Sequence, residues 1–226
     1  MPEAERICQS LLQVDPNHPD ALNLLGVIAN QAGKSELSIE LIDRAIRHQP
    51  SNPNFLSNLG VAYYGLRRSE EALACYNKAL AIKPDHVGAL SNRGNALQQL
   101  QRYDEAIASY REALSFKPDH AVAQNNLGNA LRNQGRLEEA IASYRQALSF
   151  KPDFSEACRN LGAALKDQGK LDEAIASYRQ ALSFKPDDAE THHILGAALK
   201  DQGKLEEAIA IYQVALSLKP GYAEVH

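Results

Sequence analysis

The sequence predicts an all-α solenoid, a stack of antiparallel helix pairs, on three observations. Seven of the ten prolines (Pro16, Pro50, Pro84, Pro118, Pro152, Pro186 and Pro220) fall 34 residues apart. Gly26, Gly60, Gly94, Gly128, Gly162 and Gly196 keep the same step, and so do Ala72, Ala106, Ala140, Ala174 and Ala208. Each unit also holds two apolar patterns of helical period with a turn residue between them. The repetition is close to literal: EAIASYRQALSFKPD occurs from Glu139 and again from Glu173, and LGAALKDQGKL from Leu161 and from Leu195. A fixed period of this length marks a repeat array whose units bury their apolar faces on one another.

Taken in order, residues 1–16 read as the second helix of a truncated unit, with Ala4, Cys8, Leu11 and Pro16 in register. Residues 17–220 form six complete 34-residue units, and residues 221–226 open a truncated seventh. Two readings account for the raw ends: a piece of a longer protein, or end-to-end self-association of copies. Within the unit from Asp153, that aspartate is placed to cap the first helix, and Glu156 three residues on completes a capping box. Asp187 with Glu190 repeats the pattern, and Asn17, Ser51, Asp85 and Asp119 stand at the same position. The first helix runs to about Gln168, where Gly169 supplies the left-handed residue that ends it. Arg67 and Gln101 replace that glycine in two units, which makes those turns less favourable.

The second helix opens with acids such as Asp172 and Glu173, which suit its N-terminal dipole, and Pro186 stops it. Gly162 and Ala174 clear space where the paired backbones approach, and Tyr178 fills it, as do Tyr76, Tyr110, Tyr144 and Tyr212 in their units. Phe116, Phe150 and Phe184 form an outer stripe expected to pack on the next unit.

Composition excludes several classes. The formal net charge is -4 over 226 residues, so there is no basic footprint for nucleic acid. No apolar stretch is long enough to span a bilayer. The three cysteines, Cys8, Cys75 and Cys158, form no CxxC, and with no secretory signal visible the expected location is cytoplasmic. No catalytic motif is present: GxGxxG, a P-loop and GxSxG are all missing, and His192 and His193 are adjacent rather than a turn apart. The expectation is a chain with no enzymatic activity, no metal and no cofactor.

The unit with Leu161, Gly162, Gly169, Ala174, Tyr178, Ala181 and Pro186 resembles the tetratricopeptide (TPR) repeat, and the resemblance covers essentially the whole chain. The segment NNLGNALRNQGRLEEAIASYRQAL, from Asn125, is similar in wording to the TPR arms of O-linked N-acetylglucosamine transferases and their bacterial relatives. The resemblance implies a right-handed superhelix whose first helices line the concave side.

On that side Asn58, Asn92, Asn126 and Asn160 form a ladder, one rung per repeat, broken by Leu24 and Ile194 in the outer units. Asn95 and Asn129 lie one helical turn further on the same face. A side-chain amide donates and accepts, so such a ladder suits the backbone of an extended peptide. The resemblance implies that use, and the competing reading is local hydrogen bonding within the stack. Tyr64 is the aromatic anchor candidate. Arg132, Lys166 and Lys200 form a second row, with Asp167 and Asp201 placed to cancel it.

Two functions follow. One is a protein–protein interaction scaffold that binds a partner protein or extended peptide in its groove. The other, which the resemblance implies, is the substrate-recruiting arm of a larger glycosyltransferase.

Overall fold

The computed structural model describes residues 2–219, and Pro220 and the start of the seventh unit lie outside them. The described residues form thirteen helices and no strand. The first is α1 (Pro2–Val14). Six pairs follow: α2 (Pro19–Gln31) with α3 (Ser35–His48), α4 (Pro53–Gly65) with α5 (Ser69–Ile82), and α6 (Val87–Gln99) with α7 (Tyr103–Phe116). The rest are α8 (Ala121–Asn133) with α9 (Leu137–Phe150), α10 (Ser155–Asp167) with α11 (Leu171–Phe184), and α12 (Ala189–Asp201) with α13 (Leu205–Leu218). By contacts the chain forms two compact units that divide between Pro118 and Asp119, at a repeat boundary. Within each unit the two helices of a pair pack on one another, and each second helix packs on the following first helix. First helices of successive pairs also touch: α2 with α4, α4 with α6, and α8 with α10.

The hairpins close on the expected small-against-large contact. A Cβ on Gly128 would stand 2.6 Å from the Tyr144 ring, and one on Gly162 would stand 2.6 Å from the Tyr178 ring. Tyr76, Tyr110, Tyr144 and Tyr178 are all buried. The first pair uses Ile42 in place of the tyrosine, against Gly26. Burial raises the Tyr178 hydroxyl to about 12. It raises the Cys75 and Cys158 thiols to about 11, as suits inert packing thiols.

The structure corrects three expectations. The first helices start one residue later than the Asn17, Ser51, Asp85, Asp119, Asp153 and Asp187 positions allow. In the described turns the chain spends that residue in a β-turn with proline second: His86 N–H donates to Lys83 O, Phe154 N–H to Lys151 O, and Asp188 N–H to Lys185 O. The caps are therefore His18, Asn52, His86, His120, Phe154 and Asp188.

Secondly, in two units the capping side chain is an imidazole: the Nδ1 atoms of His86 and His120 accept from the Ala89 and Ala123 amides at 3.1 and 3.2 Å. That fixes the His86 proton on Nε2, which donates to Asn54 Oδ1 at 3.0 Å. Nor does Glu156 complete a capping box: it accepts from Asn125 Nδ2. Thirdly, Phe116, Phe150 and Phe184 stay exposed, at 51%, 42% and 43%.

The turns inside the pairs are as expected. Gly135 and Gly169 have φ of 73° and 79°, and Arg67 and Gln101 are held at 61° and 59°.

Candidate functional site

The candidate residues sit on the first helices, where a period of 3.6 puts residues three and four apart on one face. They fall into two groups, one per compact unit.

In the first unit Asn58, on α4, is half-buried and donates through Nδ2 to Asn23 Oδ1 on α2 at 3.0 Å. One bond uses one donor and one lone pair, so the pair keeps three N–H groups and the Asn58 carbonyl for another partner. Asn92 is half-buried on α6, in the matching register. Asn95 turns inward: its Oδ1 accepts from the Tyr110 hydroxyl at 2.6 Å, a bond that the same hydroxyl shares with Gln98 Oε1 at 2.8 Å. Tyr64 is half-buried and packs with Val61 against the core beneath.

In the second unit Asn160, on α10, donates to Asn125 Oδ1 on α8 at 2.9 Å, repeating the Asn58–Asn23 bond three repeats on. Asn125 is fully buried and donates in turn to Asn126 Oδ1 at 3.3 Å and Glu156 Oε1 at 3.1 Å. These four side chains form one network. Asn129 accepts from the Tyr144 hydroxyl at 2.7 Å. Arg132 Nε donates to Asp167 Oδ2 at 2.6 Å, and Lys166 Nζ pairs with Asp201 Oδ2 at 2.7 Å. Each cation reaches forward to the carboxylate of the next repeat. Such partly exposed pairs contribute about 0–1 kcal/mol each.

The rungs thus separate into two kinds. Asn95 and Asn129 spend their carbonyls on a tyrosine within their own hairpin. Asn58 and Asn160 bond from repeat to repeat and remain half-exposed. The fully buried partner Asn125 and the acceptor Asn23 were not among the rungs read from the sequence. Their signal was an asparagine immediately before the rung position in two units, at Asn23 and Asn125, where the other units hold Ser57, Ser91, Arg159 and His193. Among the described residues no three His, Cys, Asp or Glu side chains gather in a way that could hold a metal ion. No helix there is long and apolar enough to cross a membrane.

Comparison with known families agrees with this architecture. Models described as TPR repeat match residues 94–135, 128–169 and 162–203, and models described as tetratricopeptide repeat match 2–53, 53–86, 75–108 and 189–222. The chain belongs to the TPR family, and it is an all-α TPR solenoid. Among curated proteins none matches it.

Solved structures with the same fold include pilF of Pseudomonas aeruginosa, at 22% identity and a TM-score of 0.78, covering 90% of this chain and 92% of that one. A thermophilic TPR protein of Thermus thermophilus matches at 25% identity and a TM-score of 0.68, covering 80% and 98%. YrrB, described as a TPR protein with an unusual peptide-binding site, matches at 22% identity and a TM-score of 0.62, covering 79% and 92%.

Proposed function

We propose that the chain is a non-catalytic interaction scaffold that binds a partner protein through an extended segment laid along the faces of its first helices. One observation carries the reading: the repeat-to-repeat amide pair Asn58–Asn23 is half-exposed and keeps unspent donors and an acceptor. An extended segment has one N–H and one C=O per residue to satisfy, and amides at regular spacing meet that need without reading side chains. The peptide-binding site described for YrrB, a chain of the same fold, is consistent with it. Asn58, Asn92, Asn126 and Asn160 are the contact residues in this reading, Tyr64 is an aromatic anchor, and Asn95, Asn129 and Arg132 shape the floor. A cytoplasmic setting, with no nucleic acid and no membrane as partner, belongs to the same proposal.

The test is a pull-down from native lysate that compares the chain with the variant Asn92→Ala, Asn126→Ala, Asn160→Ala at equal helicity. The expected outcome is a set of partners held by the chain and lost from the variant. Identical catches would assign the asparagines to the stack alone and end the reading.

A further inference from the structure

We infer that the first-helix faces of the two compact units, one in each half of the chain, differ in chemistry. The first half selects a segment with uncharged, apolar side chains three residues apart. This deepens the proposed function and rests on it.

The inner strip of α2, α4 and α6 consists of the asparagine register and the positions one and two turns beyond it. It holds no Asp, Glu, Lys, Arg or His. In their place stand Leu24, 42% exposed, and the half-buried Val27, Val61 and Tyr64, beside the amides of Asn58 and Asn92. In α8, α10 and α12 the same register carries Arg132, Lys166, Asp167, Lys200 and Asp201. There the Arg132–Asp167 and Lys166–Asp201 pairs already satisfy one another. An acidic ligand gains little from cations that already hold carboxylates.

Charge complementarity selects the occupant of the first half. A charged side chain laid over Leu24 or Val61 loses water and meets no counter-ion, which is unfavourable. An apolar one covers exposed apolar surface. Geometry adds the spacing. Packed helices lie about 8–10 Å apart, and three extended residues span about 10 Å. One rung therefore meets every third residue, and the apolar side chains reach first the Leu24–Val27 step and then the Val61–Tyr64 step.

The probe is a displayed library of random dodecapeptides selected on the full chain. Recovered sequences are expected to carry apolar residues three apart with no charge between them. They should bind about tenfold or more weakly to Leu24→Glu and to Val61→Lys, and equally to the exposed Lys78→Gln. Leu24 is exposed enough to accept the charge even if Val61→Lys loosens α4. Charged consensus peptides, or binding indifferent to both substitutions, would overturn the inference and leave the scaffold reading standing. A library that yields nothing above a bare support would overturn both.

Discussion

The turn after α4 and the turn after α8 have the same hydrogen bonds and different residues. Arg68 N–H donates to Tyr63 O at 3.0 Å, and Arg136 N–H donates to Leu131 O at 3.0 Å, the six-residue closure of a Schellman motif. The left-handed residue between is Gly135 in one and Arg67 in the other, and the turn after α6 uses Gln101. Helix pairing imposes this conformation in both halves, and the residue only sets how much it costs. After Gly33 the first half holds two of its turns, at Arg67 and Gln101, against local preference, and the second half holds all of its turns with it, at Gly135, Gly169 and Gly203.

Four measurements break or sharpen that comparison. The largest effect is expected where packing is tightest. Gly128→Ala drives a methyl into the buried Tyr144 ring and Gly94→Ala into Tyr110, and each should cost about 2–3 kcal/mol in denaturant unfolding. A cost under about 0.5 kcal/mol would mean that the rings move aside and packing does not dictate the turns.

Next come the turns themselves. Gly135→Gln should destabilise by about 1–2 kcal/mol and Gln101→Gly should stabilise by up to about 1 kcal/mol. Equal effects of the same sign would remove the difference between the halves.

Third, Tyr144→Phe deletes the bond to Asn129 and should cost about 1 kcal/mol. Tyr178→Phe, opposite Ala163 at the matching position, should cost less in the same titration.

The smallest effect concerns the α12 cap. Burial pushes the Asp188 carboxyl up, but hydrogen bonds from the Thr191 hydroxyl and amide, helped by the Arg159 charge, outweigh it and hold the group below the usual carboxylate range. A depressed value means that the cap stabilises the fold above the ordinary carboxylate value of about 4. That contribution is lost as pH falls through the lower folded value. Melts at neutral and acid pH should show this loss, on the order of 0.5–1 kcal/mol, in the chain and not in Asp188→Asn.

The hairpins were legible because proline and glycine at a fixed step leave helices few places to begin and end. The tyrosine–glycine contact was legible because a large residue recurred opposite a small one. The cap positions were misread by one residue, since nothing local says that the Pro–Asp turn consumes an extra position before the helix starts. The histidine caps were hidden because imidazole is a rare capping group, and its role depends on which nitrogen carries the proton. At the candidate site the asparagine rows were legible as rows. That Asn58 reaches back to Asn23, and Asn160 to Asn125, depends on how neighbouring first helices are offset. One repeat, read alone, does not contain that information.

The ion pairs from α8 to α10 and from α10 to α12 have a consequence for how such a chain can grow. Within α10 the neighbours Lys166 and Asp167 serve opposite sides: Asp167 receives Arg132 from the repeat before, and Lys166 reaches Asp201 in the repeat after. Every unit of this kind thus carries both halves of the joint. A copied unit inserted beside its original already fits on either side, with no compensating change required. The verbatim repetition in this part of the sequence is what a joint of this type permits.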